Sequence, residues 1–268
     1  MDFTDSTQPI TIKRDGSIGF LQLNRPEKKN ALSEKMWAAI PVALARLNRD
    51  ESVRVIVLSS STEGVFSAGA DITELEVISA SPERRESNRR AIQDAQRALA
   101  ESPKPTIAQI NGACLGGGCG LALHCDMRFA TNVSRFGITP AKLGIVYPLS
   151  DTRQLIQLIG PSKTKSMLFT GRALKAEEAL AIGLIDEIYS EATLAEKTQA
   201  FASQIATVSQ FSVRTMKKTI GDIMDGQLHE DSASMNLFKE AQEGEDAAEG
   251  IRAFIEKRPA KFTWNGDD

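Results

Sequence analysis

The run NGACLGGGCG, Asn111 to Gly120, sets Gly116, Gly117 and Gly118 between the β-like segment PTIAQI (Pro105 to Ile110) and the apolar segment LALHC. Glycines reach backbone conformations closed to other residues and let a ligand approach the chain, and the first turn of a helix carries unpartnered N–H groups. Such a loop stabilises negative charge. A dinucleotide G-x-G-x-x-G fingerprint does not fit, because Gly116, Cys119 and Leu121 break its spacing, and no Lys-Ser or Lys-Thr follows the glycines as a Walker loop requires. What remains is an oxyanion hole, in which peptide N–H groups receive the charge that develops on a carbonyl oxygen.

An oxyanion hole takes two donors, so a second exposed N–H is expected in another loop. FSAGADI, Phe66 to Ile72, offers one: Gly69 allows a sharp turn, and the small side chain of Ala70 leaves its N–H accessible. Asp71 and Glu74, just beyond, have the spacing of a capping box at a helix start. Taken alone, each loop reads better as only a tight turn. Together, each after a buried strand, they form a matched pair.

Few other side chains offer competing chemistry. With only His124 and His229, Ser-His catalysis and two-His metal sites have little to draw on, and His124 falls on an apolar segment where a packed core histidine is expected. Cys114, Cys119 and Cys125 lack the spacing of a zinc-binding pair, and their odd number does not suggest a disulfide framework, so they read as small buried hydrophobes with no metal.

The elements that must hold the two loops follow from periodicity. Alternating apolar residues around Ile10 to Lys13 and Ser17 to Asn24, with Asp15 and Gly16 between them, predict an antiparallel hairpin. Ser33 is a plausible N-cap for a helix placing Met36, Trp37, Ile40, Ala43, Leu44 and Leu47 on one face, with Pro41 positioned to kink it. Val53 to Ser60 reads as a strand buried on both sides. A helix after Pro82 carries Arg84, Arg85, Arg89, Arg90 and Arg97 opposite Ile92, Ala95 and Leu99, and a solvated face is the expected role of those arginines. Helices and strands alternate to about Ile188, giving an α/β class, and beyond Ser190 helix follows helix. The expected division is a core over 1–195 and a helical region over 196–268.

Composition bounds the function classes. The 268 residues, 41% hydrophobic and 25% charged, suffice for a full core. A net charge of −3, from 32 bases and 35 acids, argues against nucleic-acid binding. No stretch of about 18 apolar residues predicts a membrane span, and the acidic opening MDFTDSTQPI resembles no targeting peptide. A cytoplasmic protein is the expectation.

FSAGADI, PKPTIAQINGACLGGGCGLALHCD, SRFGITPAKLGI, LFTGRALKAEEALAIGLIDEI and GIRAFIEKRPAKF, in that order and spacing, resemble the enoyl-CoA hydratase/isomerase (crotonase) superfamily over about Ile10 to Phe262. The resemblance implies a ClpP-like spiral of ββα turns, a C-terminal helical region that builds homotrimers or dimers of trimers, and acyl-CoA thioester substrates. Coenzyme A enters as part of the substrate, and no tightly bound cofactor is implied. By motif position the two enolate-stabilising N–H groups fall on Ala70 and Gly117. Ala68, Asp71, Ile72 and Gly116 would contact substrate or coenzyme, as would Phe254 and Lys257 from the C-terminal region. Lys28 lies where the family often has a CoA-contacting base, although the matching position itself is Glu27.

The hydratases of this family use two glutamates, and their places here are Gly120 and Pro140. Neither residue transfers a proton. The resemblance therefore implies an isomerase, decarboxylase or atypical lyase over an ordinary hydratase, with a non-catalytic acyl-CoA-binding regulator as the alternative. Glutamate restored at both places is expected to move activity toward hydration. Tyr147 stands where the methylmalonyl-CoA decarboxylase branch has a tyrosine, and reads equally as an acid or as a core residue. Asp151 is a further candidate, with the N-cap of a following helix as its preferred role, and Asp126 is expected to be structural.

Overall fold

The computed structural model describes residues 3–266. Strands β1 (Ile10–Asp15) and β2 (Ile18–Leu23) form the antiparallel hairpin, turning at Gly16 with φ 56°. A short 3-10 turn (Pro26–Lys28) leads to helix α1 (Glu34–Arg49), where Ser33 Oγ accepts from the Met36 N–H as the N-cap. The predicted face of α1 is the buried one, and Pro41 is accommodated within a single helix.

The chain then winds in turns. Strand β3 (Val55–Ser60) is followed by β4 (Val65–Ser67) and helices α2 (Ile72–Ser79) and α3 (Pro82–Ala100). Strands β5 (Thr106–Ile110) and β6 (Ala113–Leu115) precede α4 (Gly117–Leu123). Next come β7 (Met127–Thr131), β8 (Arg135–Gly137), a 3-10 turn (Pro140–Leu143) and α5 (Leu149–Thr170), which breaks at Gly160 with φ 71°. A closing turn adds β9 (Ala173–Lys175), α6 (Ala176–Ala181) and β10 (Glu187–Tyr189). The first strand of each ββα turn joins a sheet of order β1-β2-β3-β5-β7-β10, and the second joins a smaller sheet of order β4-β6-β8-β9.

Burial explains the order of the large sheet. Val55 and Val57 of β3 face one apolar cluster while Ile56 and Leu58 face another, so the strand is buried on both sides, as its unbroken apolar run requires. One cluster fills the space toward α1, α4 and the small sheet; the other lies under α7 (Leu194–Thr207), through Leu194, Ala202 and Ala206. Helices α8 (Gln210–Met224), α9 (Ser232–Glu243) and α10 (Glu245–Glu256) follow, with α10 packing principally on α9. No helix among the described residues is long and apolar enough to cross a membrane.

Several polar residues have structural partners. Asp126 accepts from the Thr106 N–H and hydroxyl and from Lys217 Nζ, fastening α8 to the strand ends. The α3 arginines pair with nearby acids, Arg84 with Glu34, Arg89 and Arg90 with Glu86, and Arg97 with Asp94, on an exposed face. The three cysteines are buried and free.

Candidate active site

The parallel pairing of β4 with β6, through Val65–Ala113 and Ser67–Cys114, carries the two glycine loops out side by side. Their backbones touch: a Cβ placed on Gly116 would lie 3.6 Å from Gly69 Cα, and one placed on Gly69 would lie 3.1 Å from Leu115 O. Gly69 has φ 97° and Gly116 has φ 48° with ψ −117°, conformations that glycine alone adopts without strain.

Around Ala70 the flanking peptide groups are already committed. Leu32 N–H donates to Gly69 O at 2.7 Å, and Asp71 N–H donates to Leu32 O at 3.1 Å. This bridge leaves the Ala70 N–H on the opposite side of the chain, and no hydrogen bond among the described residues uses it. Gly117 is the first residue of α4, and its N–H is equally unpartnered. Gly116 itself donates to Gly137 O, so it shapes the turn and keeps no N–H for a ligand. Trp37 and Leu32 wall the second donor, at 2.9 and 3.2 Å from a Cβ placed on Gly117.

The Ala70 loop is braced by Asn30 and Ser67, neither of which the sequence singled out as a site residue. Asn30, fully buried with φ 52°, donates to Ser60 Oγ and Phe66 O, and Ser67 Oγ donates to Asn30 O while accepting from the Gly69 N–H. Asp71 caps α2, but not through a capping box. Its carboxylate accepts from the Thr73 hydroxyl and N–H and from Arg25, which together hold it down at about 2, whereas Glu74 reaches across to the Glu34 N–H. The Asp71 side chain is therefore spent inside the protein, positioning the loop.

The remaining candidates spread outward. Ala68 is exposed on the same loop, and Ile72, which opens α2, is exposed to 70%. Lys28 is exposed in the 3-10 turn before α1. Phe254, 86% exposed, and Lys257, with φ 54° at the end of α10, sit on the helical region.

The two places where hydratase glutamates were looked for differ sharply. Pro140 opens the 3-10 turn after β8 and is half-buried. Gly120 lies one turn along α4 from Gly117, on the same helix face, and the space beside it is occupied. A Cβ placed there would meet Gln96 Nε2 at 2.7 Å and Asp151 Oδ1 at 3.2 Å. Gly120→Glu thus displaces two side chains rather than restoring a missing one.

Asp151 is not the N-cap that its sequence context suggested. Pro148 holds that position, so α5 starts earlier and turns Asp151 inward from its first helical turn to 2% exposure. There it accepts from Gln96 Nε2 at 2.8 Å, and burial pushes its carboxyl up to about 6. Gln96 had a readable signal, since it falls at the fourth place after Ile92 on the apolar stripe of α3, beside buried Ala95 and Leu99. His124 lies at 3.6 Å from the same carboxylate, yet its Nδ1 donates to Gly120 O at 2.7 Å and burial lowers its pKa. A neutral imidazole so held makes no ion pair.

Tyr147 packs its ring on the core and buries a hydroxyl that has no hydrogen-bond partner among the described residues. Burial, reinforced by the charge of Asp151, holds its phenol well above the ordinary range. Gln96 Oε1 and Ser150 Oγ are likewise buried and unpartnered. Unpaired buried polar atoms are uncommon in native proteins. Two of them, the Tyr147 hydroxyl and the Gln96 carbonyl, belong to residues that act directly on the Asp151 carboxylate.

The carboxyl has a measurable consequence for stability. Its folded value of about 6 lies above its ordinary 3.8, so the native state keeps a proton that the unfolded chain releases first. Stability contributed by this group is present below pH ~4 and falls as pH rises toward ~6, by about 3 kcal/mol. Denaturant unfolding at pH 4.5 and 6.5 should show that Asp151→Asn flattens this part of the profile.

Two peptide donors held together by a ββα spiral define a class of enzyme that polarises a carbonyl with its backbone. The chain belongs to the enoyl-CoA hydratase/isomerase family, whose model matches residues 13–265. It is similar to the crotonyl-CoA hydratase of Syntrophomonas wolfei, 33% identical over 94% of this chain and 97% of that protein. It is also similar to the (E)-benzylidenesuccinyl-CoA hydratase of Thauera aromatica, 32% identical over 95% and 98%. Among solved structures, an enoyl-CoA hydratase/isomerase family protein from Hyphomonas neptunium is 43% identical with a TM-score of 0.94, over 97% of this chain and 99% of that one. The enoyl-CoA hydratase of Bacillus anthracis is 30% identical with a TM-score of 0.88, over 97% and 100%. The fold is the crotonase fold.

Proposed function

We propose that this protein binds an acyl-CoA thioester and stabilises its enolate between the N–H groups of Ala70 and Gly117, for a proton shift, a decarboxylation or an atypical lyase reaction rather than ordinary hydration. The observation that carries this reading is the pair of unpartnered N–H groups on touching loops. Each donor of that kind is worth ~10²–10³ in rate. Three of the four relatives named above carry the name hydratase, but a water-activating pair of carboxylates has no counterpart at Gly120 and Pro140. General acid–base groups contribute ~10²–10⁴ each, so their loss changes which reaction is served.

Ala68, exposed on the Ala70 loop, and Ile72, exposed at the start of α2, suit contact with the coenzyme, and we assign Lys28 and the Gly116 turn to the same role. Phe254 and Lys257 would close on it from the helical region, which we assign to building a homotrimer or a dimer of trimers. Its exposed apolar residues, among them Met216, Ile220, Phe238 and Ile251, support that assignment. No cofactor beyond the coenzyme A of the substrate is needed for this chemistry.

Incubation in deuterated water with acyl-CoA esters of several lengths, beside calorimetry, tests the reading. Binding with deuterium incorporation at the α-carbon or with turnover is the expected result. Binding without either would favour a regulator that kept the pocket and lost the chemistry. Failure to bind any CoA ester would overturn the proposal.

A further inference from the structure

We infer that Asp151 is the proton-carrying group of this site, occupying from α5 the room that Gly120 leaves open on α4. The inference rests on the acyl-CoA reading and adds to it the side chain that handles the proton. The geometry begins with α4: Gly117, the donor, and Gly120 are three residues apart on one face, ~5 Å along the helix. Asp151 Oδ1 lies 3.2 Å from where a Gly120 Cβ would be, so a carboxylate stands one helical turn from the oxyanion donor without being part of that helix. A Cβ at residue 120 would crowd this carboxylate and push Gln96 Nε2 aside.

The carboxylate is held but not consumed. Among the described residues it accepts one hydrogen bond, from Gln96 Nε2 at 2.8 Å, which fixes Oδ1 and leaves Oδ2 for a second partner. The groups facing it are Gln96 from α3, His124 at the end of α4, and Tyr147 from the loop before α5. His124 is neutral, and no cation pairs with the carboxylate. A carboxylate paired with arginine, as Asp71 is with Arg25, is a poor base. Asp151 has no such partner, and burial lifts its basicity toward neutrality. Gln96 and Tyr147, the two residues that act on this carboxylate, keep a carbonyl and a hydroxyl without partners among the described residues.

The step balances on the residues present. The Asp151 carboxylate takes the proton from the carbon next to the thioester, so the C–H bond breaks and an O–H bond forms on Asp151. The bonding pair moves into the thioester, placing negative charge on the oxygen between Ala70 and Gly117. Return of the proton from Asp151, to the same carbon or to one conjugated with it, regenerates the carboxylate and gives exchange or a double-bond shift. No oxidant, reductant or metal enters.

The test compares wild type with Asp151→Asn and Gln96→Ala in the same exchange and turnover measurements, with calorimetry of the acyl-CoA and a pH profile. Asp151→Asn keeps an oxygen for Gln96 Nε2 and removes a buried charge. It should bind the ester within a few-fold of wild type while exchange falls ~10²–10⁴-fold. The wild-type profile should lose activity below a limb near pH 6, and that limb should disappear from the residual rate of Asp151→Asn. Gln96→Ala, which removes a hydrogen bond to the ionised carboxylate, should shift the limb upward. Wild-type exchange matched by Asp151→Asn, or an unmoved limb in both variants, would overturn the assignment while leaving the acyl-CoA reading intact. Wild type that binds esters but exchanges none would instead overturn catalysis itself, and Asp151 with it.

Discussion

Gly112→Ala is expected to destabilise the protein by more than ~4 kcal/mol, at the extreme of single-substitution effects. Gly112 turns the chain from β5 to β6 at φ 76°, and its N–H donates to Ser134 Oγ at 3.1 Å. A Cβ there would fall 1.7 Å from Gly64 O and 2.2 Å from Gly64 C, inside the backbone that starts β4. Left-handed strain accounts for only ~1–2 kcal/mol. The collision adds the rest, because neither partner is a side chain able to swing aside. Gly16→Ala provides the control: its φ is 56°, but nothing lies within 4 Å of a Cβ there. Circular dichroism melts should put Gly112→Ala at least ~10 °C below wild type and Gly16→Ala only a few degrees below. Equal melting points for the two would refute the Gly64–Gly112 contact as drawn.

Ala70→Pro should lower turnover by ~10²–10³-fold with the fold retained. A backbone donor cannot be deleted by ordinary substitution, since every residue but proline keeps its N–H. At Ala70 that deletion breaks no internal hydrogen bond, because the bridge to Leu32 runs through Gly69 O and the Asp71 N–H. The proline ring would also fill the space in front of the hole. Turnover and α-carbon exchange, measured beside a circular dichroism spectrum, check this. A native spectrum with unchanged rates would show that charge develops elsewhere.

The glycine loops were legible because what they need is local: conformational freedom and bare N–H groups are properties of residue type. The alternation of long helices with β3, β5 and β7 was legible from periodicity. Strands such as β4, β6 and β9, three residues each, are too short to carry a period and become visible only through their partners. Side-chain assignments fared worse wherever the partner is distant in sequence. Asp71 and Glu74 have capping-box spacing, yet Glu74 finds Glu34, 40 residues away. Asp151 looked like a helix cap, and only folding brings Gln96 to it across 55 residues. Gly120 shows in the sequence only as the place of an absent glutamate, and folding alone brings the Asp151 carboxylate beside it.

The hole and the proton carrier are built from different materials, and this bears on how the chain can change over time. The hole is main chain, set by β4 lying along β6 and by two glycine turns in contact. The proposed carrier is a side chain from α5, braced by another from α3, beside Gly120 of α4. Substitutions can therefore redraw the second without disturbing the first, so that descendants of one scaffold inherit the same thioester grip and diverge in where the proton goes.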